Sequence, residues 1–101
     1  MAMTQAYPGV GLGWRALGTI LARQGRAREA LAPLQRSAEF FPDDAETHNN
    51  LGAVLQRLDR FAEAEAHFRR AVGLKPGYAE AHNNLGTAVI MNLCMYSGAV
   101  Q

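Results

Sequence analysis

A chain of 101 residues has room for one domain or for a section of a longer array. With 49% hydrophobic and 19% charged residues it has the balance of a soluble globular protein, and no apolar run approaches the ~18 residues of a membrane-spanning helix. Ten basic residues meet nine acidic ones, a net charge of +1 that gives no electrostatic reason to expect nucleic acid or a membrane as partner.

The start, MAMTQAYPGV, has no basic segment followed by a continuous apolar core, so no signal peptide is read. Residues 1–10 are expected to be a flexible tail, with a first helix beginning near Leu12. Trp14, Leu17, Ile20 and Leu21 recur at helical spacing up to Gly25, which supplies a left-handed cap. A second helix spans Ala27 to Phe41, with Ala30, Leu31, Leu34, Ala38 and Phe41 on its apolar stripe. Pro33 lies inside it and predicts either a bend or a late start. Pro42-Asp43-Asp44 breaks the chain, with Asp44 placed to cap a third helix, Ala45 to Leu58. Asp59 makes the next turn. A fourth helix, Arg60 to Leu74, carries Phe61, Ala64, Phe68, Ala71 and Val72, with Glu65 and Arg69 placed as a surface pair. Lys75-Pro76-Gly77 stops it, and a fifth helix runs from Ala79 to about Met95, leaving residues 96–101 as a second tail.

The chain repeats itself. Ala45–Gly52 reads AETHNNLG and Ala79–Gly86 reads AEAHNNLG, seven of eight residues identical at an offset of 34. A fixed period of that length is the mark of stacked helical units. The same register places Trp14, Leu17, Gly18, Leu21, Ala30, Leu34 and Pro42 in one unit. The next has His48, Leu51, Gly52, Leu55, Ala64, Phe68 and Pro76, and a third begins with His82, Leu85, Gly86 and Val89. These residues resemble the W-x2-L-G-x2-Y…A-x3-F…P pattern of the tetratricopeptide repeat family. The resemblance implies an all-α solenoid of helix hairpins, with repeats at 11–44 and 45–78 and a partial third at 79–95.

Each signature residue has an expected packing role. Gly18, Gly52 and Gly86 cost helix stability and imply close approach by the second helix of the pair, through Ala30 or Ala64. Leu17, Leu51 and Leu85 are expected to fill the seam within each pair. The third unit departs from the pattern. After Gly86 it reads TAVIMNLCMYSGAVQ and has no second helix, and its apolar residues lie on more than one face. Either the chain is a piece of a longer protein, or Val89, Ile90, Leu93, Met95 and Tyr96 form a homo-oligomer contact, a dimer through this helix.

In the tetratricopeptide family the first helices line a concave groove that holds a peptide or an extended segment of a partner. By that resemblance the groove residues are Arg15, Asn49, Asn50, Gln56, Arg57, Asn83 and Asn84. Asn50 and Asn84 would form a short ladder, because an amide can pair with a peptide backbone as donor and acceptor. The arrangement resembles the asparagine ladder in the repeat region of O-linked N-acetylglucosamine transferases. The family's carboxylate clamp is not expected, since Glu80 would repel a C-terminal carboxylate.

His48 and His82 replace the aromatic that Trp14 supplies and are read as packed imidazoles rather than metal ligands. No nucleophile with a base, no paired carboxylates and no phosphate-cradling loop is evident, so no cofactor, metal or catalysis is expected. The lone Cys94 excludes a disulfide within the chain and is read as a small buried or half-buried apolar residue, with an intermolecular disulfide or a reactive thiol the sharper alternative. The expected function is a non-catalytic protein- or peptide-binding scaffold in the cytoplasm. The alternatives are a self-assembling module or a repeat section of a larger enzyme such as a glycosyltransferase.

Overall fold

The computed structural model describes the backbone of residues 8–100 and the side chains of residues 10–94. Five helices follow one another: α1 (Pro8–Arg23), α2 (Ala27–Phe40), α3 (Ala45–Arg57), α4 (Phe61–Leu74) and α5 (Ala79–Val100). Helices α1 and α2 pack as one hairpin and α3 and α4 as a second; α5 lies against α4 and α3 and does not touch α1. Among the described residues no helix is long and apolar enough to cross a membrane.

The turns are set by local chemistry. Gly25 has a φ of 78° and Asp59, one period later, a φ of 62°. Each lets the chain reverse while paired backbone bonds seal the helix end. Arg26 N donates to Leu21 O and Gly25 N to Ala22 O, and Arg60 N donates to Leu55 O and Asp59 N to Gln56 O. Asp44 caps α3 as its sequence predicts, accepting from Thr47 N at 3.3 Å and also from the Thr47 hydroxyl. The Thr47 hydroxyl in turn lies 3.2 Å from Ser37 Oγ, so a buried polar chain ties α2 to the start of α3.

Two boundaries differ from the sequence reading by more than a residue, and an expected irregularity is absent. Helix α1 starts at Pro8, four residues before Leu12, with proline in the first-turn position where its missing N–H costs nothing. Helix α2 begins at Ala27 and runs unbroken past a buried Pro33, so the late start does not occur. Helix α5 continues to Val100, beyond the expected end at Met95. The position that Gly25 and Asp59 hold in their units is Leu93 in the third, and a leucine does not favour the left-handed conformation that ends a helix there.

Two clusters form the core. Ala30, Leu34, Leu51 and Val54 join α2 to α3; Leu55, Ala64, Phe68 and Ala88 join α3, α4 and α5. At Gly18 and Gly52 the second helix of the pair does approach closely, with Leu34 and Phe68 rather than Ala30 and Ala64 nearest. A Cβ on Gly18 would stand 2.7 Å from Leu34, and one on Gly52 would stand 2.5 Å from the Phe68 ring. Gly11, which reads as a soft helix start, is a third such site, 2.8 Å from Phe40. Around Gly86 nothing lies within 4 Å, because no second helix packs there.

The seam leucines also need correction. Leu51 is 2% exposed, but it packs on Ala30 and Leu34 of the preceding unit rather than within its own pair. Leu85 likewise packs on the cluster of the preceding unit. Leu17, which holds the same position in the first unit, is 44% exposed.

Candidate functional site

The first helix of each unit, α1, α3 and α5, carries the candidate groove residues. The structure brings most of them together, but largely to bond one another across units. Arg15 on α1 places Nη2 2.8 Å from Glu46 Oε1 and Nε 3.2 Å from Asp44 Oδ2, both at the start of α3. Its guanidinium is held above its ordinary pKa by the Glu46 hydrogen bond first and the Asp44 charge second. Asn50 on α3 donates from Nδ2 to Thr19 Oγ1 on α1, 3.3 Å away.

Asn49 is the node of the next junction and departs from its expected role. It is 1% exposed and therefore not presented to a ligand. Its Nδ2 donates to Glu80 Oε2 at 3.1 Å and to the Tyr78 hydroxyl at 3.4 Å, while its Oδ1 accepts from Asn84 Nδ2 at 3.0 Å. All four polar side chains thus converge on one point where α5 meets α3. Burial raises the Tyr78 phenol above its ordinary pKa, and the Glu80 charge adds to the rise. Lys75 Nζ lies 4.9 Å from the centre of the Tyr78 ring. Beside this junction Arg15, Asp44, Glu46, Lys75 and Tyr78 line an open cleft of about 550 Å³.

Asn50 and Asn84, the expected ladder, therefore each use an amide N–H on a neighbouring helix. An asparagine has a second N–H and two acceptor lone pairs, so each retains pairing capacity. Arg57 and Asn83 are exposed, and the Asn83 carbonyl accepts from the Thr87 hydroxyl at 3.2 Å. Gln56 is half-buried, and its Oε1 is fully buried with no hydrogen-bond partner. An acceptor left in that state costs roughly 1–3 kcal/mol.

The histidines show one thing that spacing alone missed. His48 is 8% exposed and donates from Nε2 to Pro42 O at 2.8 Å; His82 makes the same bond to Pro76 O at 2.7 Å. Both thus tie a first helix to the loop before it. The free Nδ1 of His48 faces His67 Nδ1 on α4 at 3.1 Å. The rings are only 22° apart in plane, with centroids 5.3 Å apart, so they meet edge to edge along the hydrogen bond. With His48 Nε2 donating to the carbonyl, neutral His48 accepts at Nδ1 and His67 donates. Burial, with the neighbouring His48, holds the His67 imidazole below its ordinary pKa, while Glu63 pulls the other way. Their nitrogens point at each other rather than at a common third point, which suits a shared proton rather than a metal. Among the described residues no group of three or more potential ligands converges.

Paired helices repeated at 34 residues, with side-chain bonds joining successive first helices, define a helical-hairpin repeat scaffold. A sequence model of the tetratricopeptide repeat matches residues 4–45, 15–79 and 49–92, and the chain belongs to the tetratricopeptide repeat family. A comparison with functionally characterised proteins returns no match.

Among solved structures, a point mutant of MamA is similar at 27% identity and a TM-score of 0.76, over 83% of this chain and 61% of that one. The TPR2AB domain of yeast Sti1, in its pHSP90 complex, is 25% identical with a TM-score of 0.78, over 97% of this chain and 38% of that one. The TPR2B domain of yeast Sti1, in its pHsp70 complex, is 24% identical with a TM-score of 0.76, over 89% and 71%. This chain therefore spans less than two thirds of the MamA and TPR2AB chains.

Proposed function

We propose that the protein is a non-catalytic interaction scaffold that holds an extended peptide segment along its first helices. The observation that carries this reading is that Asn50 and Asn84, half-buried one period apart on successive first helices, keep amide capacity beyond their bonds to Thr19 and Asn49. The backbone of an extended partner would pair with that capacity, with Arg57 and Asn83 at the rim. The Sti1 domain in its pHSP90 complex supports the general mode. The carboxylate clamp is not the mode here, because Glu80 already accepts from Asn49 where a cation would be needed.

A peptide-array screen tests the reading, comparing wild type with Arg57→Ala and with Asn50→Ala plus Asn84→Ala. Binding should fall for both, and further for the asparagine pair. Peptide binding that is unchanged in both variants overturns the groove assignment.

A second reading, self-association through α5, is favoured by a separate observation. Ile90 is 62% and Leu93 61% exposed, beside a half-buried Val89. The side chains of Met95 and Tyr96, also expected in this contact, lie outside the described residues. Sedimentation at rising concentration tests it, and a chain that stays monomeric throughout removes it.

A further inference from the structure

We infer that copies of this chain stack head to tail, α1 of one copy packing on α5 of the next and seating its exposed aliphatic side chains in the notch at Gly86. The inference rests on the self-association reading and goes further by naming the surface that α5 meets.

The molecule supplies its own template for what a first helix needs. Each carries a glycine that opens a notch, and in two units a large side chain from the following helix fills it. Leu34 sits over Gly18 and Phe68 over Gly52. Both are fully buried. The third notch, at Gly86, is open, and Ile90 and Leu93 stand exposed on the helix beyond it.

The filler must be a helix that presents large aliphatic side chains. Helices α2 and α4 have theirs engaged already, since Leu34 and Phe68 are buried within their own units. At the other end of the stack α1 leaves Leu17 44% and Ile20 53% exposed. One period later the same positions are Leu51 and Val54, which are 2% and 1% exposed under the preceding unit's second helix. Apart from α5 itself, α1 is the only described helix with exposed large apolar residues.

Two unlike apolar faces at separate ends of one molecule make a heterologous contact, which repeats along a line rather than closing on itself. A two-fold α5–α5 pair would leave the apolar face of α1 in water in every copy. Head-to-tail stacking covers both faces. It also buries no isolated charge. From Gly86 to Cys94 the sequence has no charged residue, and on α1 between Val10 and Ile20 the one charge is Arg15, which is paired with Asp44 and Glu46.

The test is complementation, read by sedimentation velocity over a rising concentration series. Wild type should grow past the dimer without a plateau. Leu17→Glu spoils only the head and Gly86→Glu only the tail, and each alone should remain monomeric. Mixed one to one they should form a complex of twice the monomer mass and stop there, because each supplies the face the other lacks. Both changes fall on open surface, and Ile20→Glu serves as a second head variant; far-UV circular dichroism confirms that each is folded. If Leu17→Glu and Ile20→Glu associate as wild type does, α5 pairs with α5 and the stacking is overturned while self-association stands. If wild type is monomeric at every concentration, both are overturned.

Discussion

The segments Ala45–Gly52 and Ala79–Gly86 share seven of eight residues, yet they occupy opposite kinds of place. In the first, Gly52 lies under the Phe68 ring and Asn49 is buried at the junction of two units. In the second, Gly86 faces open space and Asn83 is exposed. Both copies form the first helix of a unit, and both histidines hold the carbonyl of the loop before them. Local structure therefore travels with the segment. Burial and bonding depend on whether a second helix follows and a further unit adjoins.

The comparison can be broken most forcefully by removing the side chain that distinguishes the two places. Phe68→Ala should cost roughly 3–5 kcal/mol in urea denaturation, because it empties the buried contact over Gly52 and part of the α4–α5 core. A subtler pair sharpens the point with one substitution in two contexts. Gly52→Ala forces a methyl to within 2.5 Å of the Phe68 ring and should destabilise by about 1–3 kcal/mol. Gly86→Ala meets nothing and should stabilise by up to about 1 kcal/mol through helix propensity. Equal signs in the two melts would break the comparison.

A smaller effect lies at the facing pair His48 and His67. His67, facing His48 on α3 and Glu63 on its own helix, is depressed below its ordinary value of 6.5. The unfolded chain thus binds a proton more readily than the folded one between those two values. Stability should be level above about pH 7 and fall as pH drops through 6.5 toward the lower folded value. His67→Gln should flatten that slope in urea titrations at several pH values. The smallest expected change is at the turn. Asp59→Gly should stabilise by on the order of 1 kcal/mol or less, since it relieves a left-handed residue that the first unit already fills with Gly25.

What could be read from the residues follows the same division. Asp44 as a cap, Gly25 and Asp59 as turns, and the Glu65–Arg69 pair are decided within a few residues of chain, and they are where the sequence puts them. Leu17 has the pattern of a core residue and lies exposed, because the counterpart Leu51 owes its burial to the second helix of another unit, which the pattern does not show. The glycines signalled close approach, but not that Leu34 and Phe68, rather than Ala30 and Ala64, make it; that depends on how two helices are rotated against each other. Asn49 illustrates the limit for the site. An amide on a first helix suits a ligand and suits a neighbouring unit equally well, and only the position of Tyr78, Glu80 and Asn84 decides. His48 and His67 lie on different helices, 19 residues apart, with nothing in their spacing to pair them.

The Asn49 node has a mechanical consequence. Directional bonds tolerate little sliding, whereas the apolar faces of packed helices can shear past one another at small cost. With Arg15, Asn50 and Asn49 bridging successive first helices, one side of the stack is pinned at fixed points, whereas the second helices α2 and α4 make no contact with each other among the described residues. Such a body bends about its pinned side, like a hinge strip, and resists extension along it. A segment laid across the first helices would then lie where the spacing between its anchoring points changes least as the protein flexes.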